Sequence, residues 1–225
     1  PIVGDVKSVL REFTKEIEAC PCDEWLKKVQ AAKKEAPLRG EPRTDFVEPR
    51  AFMRDLSAMM EDDAILTADV GQNQIWAANN FNTKEGRFLT SGGMGTMGYA
   101  LPAAIGAKLA KPKRQVVAVC GDGSFQMSMC ELATANQNQV PLKLVVMRNK
   151  FLGMVKELQD NLYQGRHVAT PLNGDPDIVK LVQAYGIKAV FAQNNEDAKK
   201  LAKEMLESKE AYVLVCDVDP NTPSI

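Results

Sequence analysis

The stretch Gln115-Val-Val-Ala-Val-Cys120-Gly-Asp-Gly-Ser124 decides the fold class. Its first half is a short, β-branched apolar run, the pattern of a strand buried on both faces. Its second half is a glycine-flanked acidic turn that leads into a helical pattern over Phe125–Asn138. Between Gly123 and Asn149 lie 25 residues, enough for one helix and the next apolar run, Leu142–Met147. If those two strands are neighbours in a parallel sheet, Asp122 and Asn149 meet at its carboxyl edge.

The same alternation continues outward in both directions. Apolar runs at Ala64–Ala68, Arg87–Thr90, Ile187–Phe191 and Ala211–Asp217 complete a set of six strands. Helical patterns cover Pro49–Met60, Gln72–Asn79, Thr96–Leu109, Pro176–Tyr185 and Asn195–Ser208. Strand and helix in strict turn predict an α/β fold, a doubly wound six-stranded parallel sheet with helices on both faces. Ligands of such sheets bind beyond the carboxyl ends of the strands. Four loops there are unusual: Asp69–Asn73, Ser91–Gly98, Gly121–Ser124 and Arg148–Phe151. Glycine-rich turns opening onto helices present backbone N–H groups and suit phosphates. Asp122, Asn149 and a nearby backbone carbonyl make a hard-oxygen set. It is too sparse to cage a metal alone but suits Mg²⁺ when diphosphate oxygens complete the octahedron.

Composition narrows the class. The chain has 225 residues, 45% of them hydrophobic, so it can bury a sizeable core. Its 28 basic residues balance 29 acidic ones, which argues against a general nucleic-acid binder. No apolar run is long enough for a membrane span, and no signal peptide opens the chain. Five cysteines, an odd number, read as reduced thiols of a cytoplasmic protein. The single histidine, His167, excludes a multi-histidine metal site and reads as a solvated loop residue. Cys20-Pro21-Cys22 has too few ligands for a metal and reads as a surface loop, and Trp76 as packed core.

Residues 20–48 are charged and poor in apolar runs, with a short helix from Asp23 towards Pro37 and turn residues at Arg39–Arg43. The expected organisation is therefore a remnant of a preceding domain over 1–19, a helical linker over 20–48, and one α/β domain over 49–225. Pro1 stands first instead of Met. It suggests a piece of a longer polypeptide, or a chain trimmed by processing.

Gly121-Asp122-Gly123, followed about 25 residues later by Asn149, resembles the thiamine-diphosphate motif. The family's Asn pair is here a single Asn flanked by Arg148 and Lys150. Four further blocks narrow the likeness: Val70–Ala78, Ser91–Tyr99, Leu101–Ala107 and Leu152–Val155. In order and spacing they resemble the large catalytic subunit of acetolactate (acetohydroxyacid) synthases, over about Pro49–Val218. Pro1–Phe13 is similar to the end of that family's middle domain.

The resemblance implies the thiamine-diphosphate-binding fold, and a transferase that condenses two pyruvates, or pyruvate and 2-ketobutyrate, with loss of CO₂ in branched-chain amino acid biosynthesis. It implies Mg²⁺ on Asp122, Asn149 and the Phe151 carbonyl. Val70, Gln72, Asn73, Gly121, Gly123 and Ser124 would line the diphosphate. Gly95 and Met97 would contact the aminopyrimidine ring, with Met97 bending the coenzyme, and Met154 would face the substrate. FAD is a further cofactor that the intact enzyme can carry.

Partners are implied too: the pyrimidine-binding domain of a second subunit, which supplies the activating Glu, a homodimer or homotetramer, and a regulatory subunit. None of the acidic residues here matches that Glu, so the 225 residues alone are expected to be inactive, with Gly92–Gly98 and Asn149–Arg166 as mobile loops. Asn73 stands where the family has His, and was expected still to donate to a phosphate. Leu158 stands where the family has a Trp that favours 2-ketobutyrate. Two other classes fit the same motif: another thiamine-diphosphate-dependent 2-keto-acid decarboxylase or carboligase, and a standalone coenzyme-binding subunit without activity of its own.

Overall fold

A computed structural model describes residues 1–35 and 45–225, and the chain divides into two compact units, Pro1–Leu38 and Arg39–Ile225. In the first unit, α1 spans Val6–Glu16 and α2 spans Asp23–Glu35. Asp5 caps α1 by accepting from the Ser8 backbone N–H at 2.9 Å, a side-chain bond that satisfies one orphan donor of the first turn. Cys20 and Cys22 are exposed free thiols. The turn residues Arg39–Arg43 lie outside the described residues.

The second unit is a six-stranded sheet, all parallel, flanked by helices on both faces. In chain order it runs α3 (Pro49–Met59), β1 (Ile65–Ala68), α4 (Gln72–Asn80), β2 (Arg87–Thr90), α5 (Ala100–Ala110) and β3 (Val116–Gly121). Then follow α6 (Asp122–Ser128), α7 (Glu131–Gln137), β4 (Lys143–Arg148), α8 (Gly153–Tyr163), α9 (Ile178–Ala184), β5 (Lys188–Ala192), α10 (Asn195–Glu207) and β6 (Tyr212–Asp217). The strand order is β2-β1-β3-β4-β6-β5.

Alternate residues of each strand feed two separate cores. Val117 and Val119 of β3 pack on the side of Phe52, Trp76 and Met205, from α3, α4 and α10. Val116, Ala118 and Cys120 pack on the side of Leu101, Leu132 and Val182, from α5, α7 and α9. This two-sided burial is why β3 carries no polar side chain and why buried Thr67 of β1 donates its hydroxyl to the Ala100 carbonyl at 2.9 Å. Each buried Val or Leu contributes about 1.5–3 kcal/mol relative to exposure. The edge strands differ: β2 and β5 are partly exposed, and Lys188 lies over the ring of Tyr212, 4.4 Å from its centroid.

Three predicted helices have different bounds. The helix expected over Thr96–Leu109 begins only at Ala100, because Gly95 and Gly98 sit at φ 63° and 87°, left-handed values that a helix excludes. The helix expected over Phe125–Asn138 is two, α6 and α7, and α6 begins at Asp122 itself. Pro176–Tyr185 is trimmed to α9, which is capped by Asp177. The segment Asn149–Arg166, read as a loop, contains the helix α8.

Candidate functional site

The order of strands reverses at β1. From β1 the chain goes out to β2 on one side and returns to β3 on the other. Such a switch point opens a crevice at the carboxyl ends of the two strands. The loops Asp69–Gly71 and Gly121–Gly123 stand there. β3 pairs with β4 in the register Gly121↔Met147, so Asp122 leaves the sheet beside Arg148 and Asn149. The sequence expectation that Asp122 and Asn149 share one edge rested on this adjacency.

A cavity of about 90 Å³ lies at this point. Val70, Gln72, Asn73 and Trp76 line it from the β1 side, and Gly121, Asp122, Gly123 and Ser124 from the β3 side. Asn149, Phe151 and Met154 close the third side, and Met97 reaches in from the loop before α5. Of the residues expected to hold the coenzyme or the metal only Gly95 is outside the lining, on an exposed turn. Leu158 is half exposed on α8 and does not line the cavity. Trp76 is fully buried and also forms part of the wall; its indole N–H donates to the Pro223 carbonyl at 2.9 Å.

Asp122 is buried, and backbone N–H groups hold both its oxygens. Oδ2 accepts from Lys150 at 2.7 Å and Oδ1 from Gly123 at 3.0 Å. Burial pushes its carboxyl pKa up to about 6, while those N–H groups and the nearby Arg148 charge work the other way. Lys150 sits at φ 62°, which turns the chain sharply after Asn149. Asn149 Oδ1 accepts from the Phe151 N–H at 3.0 Å. Phe151 pairs with Pro171 in an antiparallel bridge, and Leu172 N–H donates to the Lys150 carbonyl at 2.9 Å. Arg148 clamps the same region: it reaches both oxygens of Asp175 and, at 2.6 Å, Asp217. One carboxylate, one amide and the chain around Phe151 are thus gathered into a single turn.

The start of α4 forms the opposite wall. Gly71, at φ 148°, precedes it and leaves the helix without a side-chain cap. Its first N–H groups and the helix dipole face the crevice, an arrangement suited to an anion. Asn73 is oriented otherwise than the sequence suggested. Its Nδ2 donates to the Asp69 carbonyl at 2.8 Å and the Val119 carbonyl at 3.4 Å, so its donors are turned into the protein.

Sequence reasoning passed over two residues. Asp69, fully buried at the end of β1, accepts from Gly98 N–H at 2.9 Å and Ala100 N–H at 2.8 Å, and thereby fixes the turn that carries Met97. Burial raises its pKa against those bonds. An acidic residue directly after a doubly buried strand was the available signal. The other is Glu157 of α8, which touches the wall from behind; nothing local in the sequence marks it. His167, expected to be solvated, is exposed, and its Nε2 lies 2.6 Å from Asp160 Oδ1.

Residues 69–216 match the family model described as thiamine pyrophosphate enzyme, C-terminal TPP binding domain, and the chain belongs to that family. Among curated proteins it is similar to the probable acetolactate synthase large subunit of Methanocaldococcus jannaschii, 39% identical over 98% of this chain and 39% of the relative. It is likewise similar to the acetolactate synthase isozyme 3 large subunit of Escherichia coli, 38% identical over 92% of this chain and 38% of the relative. The acetolactate synthase large subunit of Lactococcus lactis is 37% identical over 95% and 39%. The chain therefore spans about two fifths of the length of these relatives.

Proposed function

We propose that the chain forms the diphosphate- and metal-binding part of an acetolactate-synthase-type enzyme, which joins two pyruvates, or pyruvate and 2-ketobutyrate, with release of CO₂. The observation that carries this reading is the convergence of Asp122 and Asn149 on one turn beside the uncapped start of α4. The names of the relatives support the choice of activity within the family.

The donor set fits a divalent cation. Asp122 is a buried carboxylate held by backbone dipoles, and its raised pKa reflects a charge that burial leaves under-compensated. An Mg²⁺ ion would remove that penalty. Asp122, Asn149 and the Phe151 carbonyl would hold it, with diphosphate oxygens and water completing six ligands. Val70, Gln72 and Asn73 at the start of α4, with Gly121, Gly123 and Ser124, would surround the diphosphate. Backbone N–H groups would do the work there, since the Gln72 and Asn73 amide nitrogens are engaged within the protein. Bound thiamine diphosphate supplies the electron sink for loss of CO₂ from a 2-keto acid. Gly95 and Met97 would contact its aminopyrimidine side, and Met154 would face the substrate. The apolar side chains of Met97, Leu152 and Met154 exclude water from the inner wall.

The same reading extends to the rest of the enzyme. Pro1–Ala19 would end a preceding domain, and 20–48 would link it to the coenzyme-binding domain. A second subunit's pyrimidine-binding domain would bring the activating Glu, in a homodimer or homotetramer with a regulatory subunit. FAD and a cytoplasmic role in branched-chain amino acid biosynthesis belong to the same proposal. Among the described residues no helix is long and apolar enough to cross a membrane.

The test is product analysis. The protein at its full natural length is given pyruvate, thiamine diphosphate and Mg²⁺. Acetolactate is the expected product. Release of acetaldehyde without carbon–carbon bond formation would identify a decarboxylase instead.

A further inference from the structure

We propose that Glu157 is a positioning residue for the metal site: through Gln72 it fixes which end of the Asn149 amide faces the metal. The inference rests on the metal reading above and names a residue outside that donor set.

A primary amide has two nearly isosteric orientations, and only one presents oxygen to a hard cation. What holds the orientation is the partner of the nitrogen end. Asn149 Nδ2 donates to Gln72 Oε1 at 3.0 Å. That leaves Asn149 Oδ1 on the side of Phe151 N–H, in the turn where Asp122 lies. Gln72 is itself an amide that could turn over. It is buried, and its own nitrogen end is set by two acceptors: Glu157 Oε2 at 3.2 Å and the Thr222 carbonyl at 3.0 Å.

The polarity of this chain of bonds is set at Glu157 together with the Thr222 carbonyl, and Glu157 is the one of the two that a side-chain substitution can remove. An ionised carboxylate only accepts, so Gln72 must turn its NH₂ towards it. The reversed Gln72 would bring its oxygen against both the carboxylate and a carbonyl. Glu157 is held in its turn by the Ser224 backbone N–H, 3.3 and 3.2 Å from its two oxygens, and by the Ser224 hydroxyl. The Gln72 NH₂, the Ser224 N–H and the Ser224 hydroxyl all donate to it, so every one of these contacts runs in the same direction. Gly153 leaves room for the arrangement: a Cβ there would stand 2.0 Å from Gln72 Oε1 and 2.7 Å from Asn149 Nδ2.

The experiment is a calorimetric titration of Mg²⁺ into the full-length protein saturated with thiamine diphosphate. Glu157→Leu is expected to weaken Mg²⁺ binding at least tenfold. Glu157→Gln, which keeps an oxygen for Gln72, is expected to stay within about threefold of the parent. The Mg²⁺ concentration giving half-maximal turnover should shift in parallel, with kcat at saturating Mg²⁺ unchanged. Asn149→Ala is titrated alongside. If Asn149→Ala loses Mg²⁺ and Glu157→Leu binds it like the parent, the positioning role is wrong and the metal site stands. If Asn149→Ala also binds like the parent, the metal reading itself falls. Should Glu157→Leu fail to fold, Gln72→Met interrupts the same path from its other end. A tenfold loss there, unchanged when Glu157→Ala is added, supports the path; independent, multiplying losses overturn it.

Discussion

The buried carboxylate of Asp69 accepts a hydrogen bond from the backbone N–H of Ala100 at 2.8 Å, tying the end of β1 to the start of α5 across 31 residues of chain. A second bond, from Gly98 N–H at 2.9 Å, secures the turn between Met97 and that helix. Asp69→Ala leaves both donors without their charged acceptor. We expect a loss of about 3 kcal/mol, from the usual worth of hydrogen bonds to charged groups. The check is urea unfolding followed by far-ultraviolet circular dichroism. Unchanged stability would mean that α5 needs no such anchor.

Removing a metal donor is expected to act on binding and not on folding. Asp122→Ala and Asn149→Ala each take one oxygen from a set with few protein ligands. Mg²⁺-dependent binding of thiamine diphosphate should fall below detection in calorimetry, while the melting temperature without coenzyme stays near that of the parent. In Asp122→Ala the relief of a buried charge works against the loss of the bonds from the Lys150 and Gly123 N–H groups, which keeps the change in coenzyme-free stability small. Unchanged coenzyme affinity in both variants would refute the assignment.

Two glycine substitutions of the same kind should have opposite effects. Gly106 lies in α5 with open space where a Cβ would go, so Gly106→Ala is expected to stabilise by up to about 1 kcal/mol. Gly153 opens α8, and a Cβ there would collide with the Gln72 side chain. Gly153→Ala is expected to lower coenzyme affinity at least tenfold, whatever it adds in helix propensity. Thermal unfolding measures the first and calorimetry the second. A Gly153→Ala protein that binds like the parent would show that Gln72 can move at little cost.

Acid should loosen the clamp around Arg148. Burial tends to raise the Asp175 carboxyl, but hydrogen bonds from Lys150 and Arg148 hold it below its ordinary value of 3.8. A depressed folded-state pKa means that the unfolded chain takes up the proton first as pH falls. The stabilisation is therefore complete above the ordinary carboxylate range and is lost as pH drops through the lower folded value. Asp175→Asn should be less stable than the parent at pH 6, and the gap should narrow below pH 4. Denaturation midpoints across that range supply the measurement; a constant gap would exclude the linkage.

Substrate choice offers a separate measurement. Leu158 is half exposed and outside the cavity lining, so it offers a second keto acid little apolar surface. One methylene in an apolar pocket discriminates by about 1–3 kcal/mol. The full-length protein is expected to show little preference for 2-ketobutyrate over pyruvate, and Leu158→Trp to raise it. A competition assay with both keto acids at equal concentration reads this directly. A strong excess of acetohydroxybutyrate from the parent would assign the choice to another residue.

Strand and helix alternation, the parallel sheet and the pairing of Asp122 with Asn149 were all legible in the chain itself. Doubly buried strands are largely apolar, and a glycine-flanked acid, common by itself, gains meaning when an Asn follows at the spacing of one helix and one strand. Helix limits were less legible. α5 starts four residues late because Gly95 and Gly98 take left-handed conformations, the second of them held by Asp69 just beyond β1. α8 went unread although Val155, Leu158 and Leu162 recur at helical spacing; in the fold that stripe is exposed. The orientations of Asn73, Gln72 and Asn149 lay wholly beyond the sequence. An amide turns to whichever acceptor is nearest, and here those acceptors arrive from β1, β3, α8 and the segment around Thr222. Residue type and spacing determined what could bind at this edge of the sheet. Only long-range packing decided which atom of each side chain faces the site, because hydrogen-bond direction depends on partners that are remote in sequence and adjacent only in the folded chain.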